Sequence, residues 1–283
     1  TVTLLKEQAG RGKVTVDPSK VDAAMGELQK RYTSPEAFAA ALEQQGITDA
    51  ALRSNIEQSL AVQQVLETAL ARATGQASHL TGASRTDAGV HALGQRAHFD
   101  TASSIPDEKW PFVLNTLLPP DIRVTVSQRV SDALHARFDA QQKTYEYRIL
   151  NRRHNSALRH SFCAFVPLPL DVDRMRQAAR DLVGRHDFAA FQAAGGNART
   201  TVRTIHSALL TQQGDELVLK VCGDAFLYNM VRIIAGTMIA IGQGKLDTDA
   251  FRRALDSKDR LDLGITAPAC GLCLVRVDYE GLP

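Results

Sequence analysis

Several kinds of chemistry are excluded by what this chain has little of. Four cysteines in 283 residues are too few for a disulfide scaffold. Cys270 and Cys273 form a C-x-x-C, but no second pair or neighbouring histidine completes a tetrahedral site, and Cys163 and Cys222 stand alone. They read as small buried hydrophobes, and no metal is expected. No apolar run suits a membrane span: the longest, Ala225 to Ile241, has 17 residues with Asn229 and Arg232 inside it, so it reads as a buried helix. The first residues are polar and lack an apolar core before a cleavage site, so no secretory signal is expected. An excess of one charge is missing too. The net charge is +2, which alone announces no nucleic-acid binder. Low-complexity segments and repeats are absent. With 44% apolar and 23% charged residues, the expectation is a cytoplasmic, reduced globular protein with ample material for a core.

Charge is not evenly divided. Residues 1–80 carry 8 basic and 9 acidic side chains, and residues 81–283 carry 25 and 22. Basic residues gather at Arg148, Arg152, Arg153 and Arg159, and again at Arg199 and Arg203. Such clusters are either solvated surface or phosphate contacts.

The first third reads as punctuated helices. Asp17-Pro18 is an N-cap followed by Pro at the first helical position, and Val21, Ala24, Met25 and Leu28 repeat at helical spacing. Ser34-Pro35-Glu36 opens a second helix that stops at Gly46, and Thr48-Asp49 opens a third that stops at Gly75. The third carries a stripe of Leu52, Ile56, Leu60, Val65, Leu66 and Leu70 and should run roughly 37 Å. From residue 76 short β-branched and aromatic runs alternate with helices. Strands are expected at Ala97–Asp100, Ile122–Val130, Thr144–Leu150, Ser161–Val166, Arg203–Thr211, Glu216–Cys222 and Leu272–Tyr279, and helices over 171–183, 225–241 and 248–256. That mixture, with hairpin-like turns such as Gln213-Gly214, predicts an α+β fold with an antiparallel sheet.

The most unusual local sequence is Gly82 to Ala92, a small-residue loop with Arg85 and Asp87 two positions apart. Composition alone permits an ordinary surface turn; Gly89 permits a tight functional loop. The string Arg-Thr-Asp-Ala-Gly-Val-His-Ala, residues 85–92, resembles the catalytic motif of the tRNA pseudouridine synthase A family. Further landmarks of that family have counterparts in order: Lys143 to Tyr147, His186-Asp187-Phe188, Thr201-Val202-Arg203, Gly223 to Gly236, and Ala267 to Leu272. The resemblance covers roughly residues 62–283.

It implies an α+β pseudouridine synthase-type fold: a mixed, mainly antiparallel sheet flanked by helices, here with an extra helical N-terminal segment. It also implies uridine-to-pseudouridine isomerisation in the tRNA anticodon stem-loop, at one or more of tRNA positions 38, 39 and 40. Family members act as homodimers on tRNA. Breaking the C1′–N1 bond and rejoining through C5 returns every atom to the same nucleotide, so no cofactor is called for. An ionised carboxylate is called for, as nucleophile or in proton abstraction. The resemblance gives that role to Asp87, with Arg232 as the cation that keeps it ionised. Arg85 is suited to fill the space left by a flipped base or to hold its phosphate. Tyr145 is suited to stack on the uracil, Leu272 to wall the pocket, and Arg203 to bind substrate. His91, His98 and His186 read as core or surface residues.

The pattern breaks at the front. The family's opening strand, with its Tyr-Asp-Gly and Gly-Trp-Gln stretches, has no counterpart before Val62, and the only Trp is Trp110. Val14 to about Leu60 instead resembles the helical segment of parvulin-type peptidyl-prolyl isomerases and chaperones. The sequence thus reads as a fusion-like helical segment over 1–60, an N-terminal synthase half over 61–140 lacking its first strand, and a C-terminal half over 141–283. A missing strand would leave a sheet neighbour unpaired. An adjacent chain, or residues 1–6, where Val2, Leu4 and Leu5 alternate weakly, are the candidates to replace it. Two competing readings follow: an RNA-binding scaffold with impaired catalysis, and a chaperone-like helical module fused to a synthase remnant.

Overall fold

The computed structural model describes residues 2–6, 16–30, 32–44, 48–84, 86–196 and 198–282. In chain order they form β1 (Val2–Lys6), α1 (Pro18–Gln29), α2 (Pro35–Gln44), α3 (Asp49–Thr74), β2 (Leu80–Gly82), β3 (His91–Phe99), α4 (Trp110–Leu117), β4 (Ile122–Val124) and β5 (Ala140–Asn151). There follow β6 (Ala164–Val166), α5 (Val172–Ala179), β7 (Gly184–Asp187), β8 (Val202–Gln213), β9 (Glu216–Gly223), α6 (Met230–Gly242), α7 (Ala250–Ser257) and β10 (Leu272–Tyr279). The α+β reading holds. Two compact units organise the chain: Thr1–Gly26 with Ala50–Gln141 and Leu274–Pro283, and Glu27–Asp49 with Gln142–Cys273.

In the first unit β3 is the central strand, with β1 on one side, β10 on the other and β2 antiparallel to its far end. β1 pairs antiparallel with both β3 (Val2↔Ala97) and β4 (Leu4↔Val124), so Val2–Lys6 lies hydrogen-bonded between two strands. The helices cover one face. Leu66, Ala69 and Leu70 of α3 and Trp110 and Leu114 of α4 form one core with Leu80, Ala97, Ile122 and Val124. α3 starts and stops at the expected signals: it ends at Thr74, where Gly75 takes a φ of +73° and returns its N–H to Ala71 O at 2.8 Å. At 26 residues it spans about 39 Å. β4 is shorter than its sequence suggests. At its end the Asn115 side chain brackets Val124 with two hydrogen bonds of 2.8 Å.

In the second unit β5, β9, β8 and β7 run antiparallel in that order, and β6 adds to β5 in parallel. α5, α6 and α7 supply its helical layer, with Phe191 stacked on Phe251 at 6.0 Å. α2 belongs to this unit: Ser34 caps it through Ala37 N–H at 3.2 Å, and the Tyr32 hydroxyl accepts a hydrogen bond from Gly195 N–H at 3.3 Å. The expected stop of α2 at Gly46 lies outside the described residues. No described helix is long and apolar enough to cross a membrane.

Candidate active site

The loop between β2 and β3 carries Asp87, and its entry is clamped. Gln95, in the middle of β3 and only 8% exposed, donates from Nε2 to Ser84 O at 2.7 Å and accepts Ser84 N–H at Oε1 at 3.2 Å. One amide side chain therefore satisfies both backbone groups of a residue three positions before Asp87. Ala83, fully buried, donates its N–H to Arg96 O at 2.7 Å. The loop exit is a tight turn: Val90 N–H reaches Asp87 O at 3.1 Å and Gly89 takes a φ of +76°, a conformation that disfavours any side chain. Asp87 is half-buried. Beside this loop lies a cavity of about 290 Å³ between α3 and the strands, bordered by Gln63, Thr81, Ser84, Thr86, Gln95 and Arg137. Arg85 lies outside the described residues.

The other sequence-nominated residues belong to the second unit, where a short segment between β9 and α6 joins two of them. Tyr145 on β5 is 7% exposed and meets Phe226 edge-on, ring centroids 5.0 Å apart. Three residues on, Asn229 takes a left-handed φ of +59°, and its Oδ1 accepts from Arg232 at 2.9 Å. The expected helix over 225–241 therefore opens only at Met230. The reason is Asp224, whose carboxylate accepts Ala225 N–H and Thr204 N–H and holds the chain on β8 before the helix can wind.

Arg232 is fixed on its other side as well. Its Nε donates to Ala267 O at 2.9 Å, and its own carbonyl accepts Ala267 N–H at 3.1 Å. The segment Gly264–Ala267 lies so close to α6 that a Cβ on Gly236 would sit 1.8 Å from Ile265 O. Thr237, buried, accepts Gly264 N–H at 3.0 Å and completes the seam. Leu272 is buried at the start of β10. Just before it, Gly271 leaves room for Tyr147, whose hydroxyl donates to Pro268 O at 2.8 Å and whose pKa burial pushes up. Arg203 on β8 pairs with His186 on β7 and donates to Thr200 O at 2.8 Å and Val202 O at 2.6 Å. Burial lowers its pKa, and Asp224 opposes that.

Much of the Arg148–Arg159 cluster is internally neutralised. Arg148 bridges Glu146 at 2.8 Å and Glu216 at 2.7 Å, and Arg159 also pairs with Glu216. The cysteines are free thiols. Cys270 sits 3.5 Å from Cys163 O, and burial raises the pKa of both. Among the described residues no group of three or more His, Cys, Asp or Glu is disposed to hold a metal ion. His98 accepts Ala136 N–H at Nδ1 at 3.1 Å, and the His186 ring nitrogen lies 3.1 Å from Val183 O. Sequence reasoning missed Gln95, Asp224 and Phe226. A glutamine in a mostly small and apolar strand is the one visible signal among them.

Comparison with known proteins agrees with the motif. A family model described as tRNA pseudouridine synthase matches residues 35–139 and 178–280. The match opens at Pro35, within the segment whose sequence resembles parvulin-type helices. A tRNA pseudouridine synthase A of Thermoanaerobacter sp. (strain X514) is 43% identical over 221 residues, covering 78% of this chain and 91% of the relative. One from Brevibacillus brevis is 47% identical over 218 residues, covering 77% and 89%. A tRNA pseudouridine synthase A 2 of Clostridium tetani is 44% identical over 219 residues, covering 77% and 88%.

Proposed function

The chain belongs to the tRNA pseudouridine synthase family, and from that membership we propose that it isomerises uridine to pseudouridine in tRNA, with the Asp87 carboxylate at the reacting nucleotide. The observation that carries the assignment is the clamped loop: Gln95 holds Ser84 at both backbone groups, and Gly89 closes the turn after Asp87. Precise placement is what a carboxylate reacting at a sugar or base needs, because a displacement of about 1 Å costs on the order of 100-fold in rate.

The reaction balances within one nucleotide. The N1–C1′ bond breaks, C5–C1′ forms, C5 gives up its proton and N1 ends protonated, so nothing is oxidised or reduced. Asp87 acts as nucleophile or assists removal of the C5 proton, and Arg232 is the cation that favours its ionised form. Tyr145 stacks on the flipped uracil, Leu272 walls the pocket, and Arg85 and Arg203 hold the substrate. The substrate region is the anticodon stem-loop, the working form a homodimer, and the compartment the cytoplasm.

Strand β1 supports an active enzyme over an impaired scaffold. Val2–Lys6 pairs with both β3 and β4, so the strand that carries Gln95 is flanked by a hydrogen-bonded neighbour. The test is tritium release from tRNA labelled at uracil C5. Wild type should release label in proportion to product, and Asp87→Asn should release none while still binding tRNA. Equal release by both proteins would sink the assignment of Asp87.

A further inference from the structure

The turn from Ser131 to Asp139, just before β5, is densely hydrogen-bonded and yet presents an aromatic ring to solvent. Phe138 is 76% exposed, and one face lies on the His135 ring, centroids 4.2 Å apart with 29° between planes. The other face is open. The turn beneath it is tied at many points. His135 N–H donates to the Asp139 carboxylate at 2.7 Å, and His135 Nδ1 accepts the N–H groups of Arg137 and Phe138, each at 3.2 Å. Ala136 is buried; its N–H goes to His98 on β3 and its carbonyl accepts the Tyr279 hydroxyl from β10. The Arg137 guanidinium, on the neighbouring residue, is exposed and has no hydrogen bond or ion pair among the described residues. It borders the same cavity as Ser84 and Thr86, the residues around the Asp87 loop.

An exposed phenylalanine held flat by a stacked histidine is costly as surface and useful as a platform. Every nucleobase has a π-face, and stacking on an aromatic side chain is a sequence-tolerant way to hold one. A cationic fork beside the ring suits the phosphate of the same nucleotide. Resting on the isomerase reading above, we infer that the His135–Phe138 stack receives an unpaired base of the tRNA adjoining the reacting uridine, with Arg137 on its phosphate. The site fixes the flanking nucleotide while its neighbour is turned into the Asp87 loop. It is a positioning device with no part in bond making.

The test uses the full chain and unmodified tRNA. Phe138→Ala and Phe138→Leu should each weaken tRNA binding, read by filter binding and by KM, by roughly ten-fold, a loss typical of one stacked base. Phe138→Tyr and Phe138→Trp should stay within about two-fold of wild type, because they keep the π-face. Arg137→Gln should lower the slope of log affinity against log salt by about 1, the loss of one phosphate contact. For all four Phe138 variants the melting temperature should not move, since the ring is exposed. Three results would each overturn the inference: Phe138→Ala binding like wild type, Phe138→Leu binding like wild type, or Phe138→Ala changing the oligomeric state in light scattering. The last would assign the ring to a second copy of the chain. Failure here is separable from failure of the isomerase reading. Unchanged tRNA affinity in Phe138→Ala alongside an Asp87-dependent product ends the platform alone. A wild type that makes no product yet binds tRNA through Phe138 ends only the isomerase reading.

Discussion

Two residues outside the reaction decide how well the site is held. Gln95 answers both backbone groups of Ser84. Gln95→Leu would keep much of the side chain's bulk and remove both hydrogen bonds from a half-buried loop, at a cost of about 1–3 kcal/mol. The expected outcome is a lower kcat with KM little changed, together with a small fall in melting temperature. Gly236 acts at the other unit's seam. A Cβ there would meet Ile265 O at 1.8 Å, so Gly236→Ala must push Gly264–Ala267 away from α6 and with it the Ala267 carbonyl that fixes Arg232. Overpacking of this kind costs about 1–3 kcal/mol. Thermal melting should show that loss, and single-turnover rates should fall more than tRNA affinity. Asp87, Tyr145 and Arg232 could be nominated from the sequence because their neighbours along the chain form recognisable strings. Gln95 and Phe226 were not, because what they touch, Ser84 and Tyr145, is set by strand register and loop path rather than by spacing.

At the scale of elements, legibility followed local punctuation. α3 and β10 sit where caps, glycines and alternation put them. α4 has no legible signal: eight residues beginning Trp-Pro carry too few turns for a helical period. The onset of α6 was misplaced because the Asp224 bonds that delay it join residues twenty apart. The turn over Ser131–Asp139 hangs on His98, which gives a pH dependence. His98 Nδ1 must be unprotonated to accept Ala136 N–H. Its pKa lies below the usual 6.5, chiefly through burial, then through the facing His135 and more weakly His79, with Asp100 and Asp139 opposing. The unfolded chain therefore takes up that proton before the folded one does. Stability from this group is complete above pH 6.5 and is lost as pH falls from there through the lowered folded-state pKa. His98→Asn keeps an acceptor near the Nδ1 position and has no such titration. Chemical denaturation from pH 7.5 down to 5 should show a smaller decline in the variant than in wild type; parallel declines would remove His98 as the cause.

For the molecule as a whole, a net charge of +2 gives little long-range pull on a polyanion, and Glu216 holds two arginines of the most basic stretch. Affinity for tRNA must come from local contacts with phosphates. With about six of them, binding should weaken about 1,000-fold between 50 and 200 mM salt, which titrations at four or five salt concentrations would read directly. A flat salt response would mean that the assignment of tRNA as substrate is wrong. The front of the chain was the least legible region at this scale. Its composition resembles another family's helices, yet Val2–Lys6 forms a strand between β3 and β4, and α2 packs in the second unit. Both placements depend on partners more than eighty residues away; the weak alternation of Val2, Leu4 and Leu5 pointed to the strand, and nothing local pointed to the place of α2. The expectations for activity all depend on conversion of uridine to pseudouridine through Asp87. Carbodiimide treatment followed by primer extension on unmodified tRNA, comparing wild type with Asp87→Ala, tests it most directly. New stops should appear in the anticodon arm with wild type and none with the variant. Stops produced equally by both, or by neither while tRNA is bound, would contradict it.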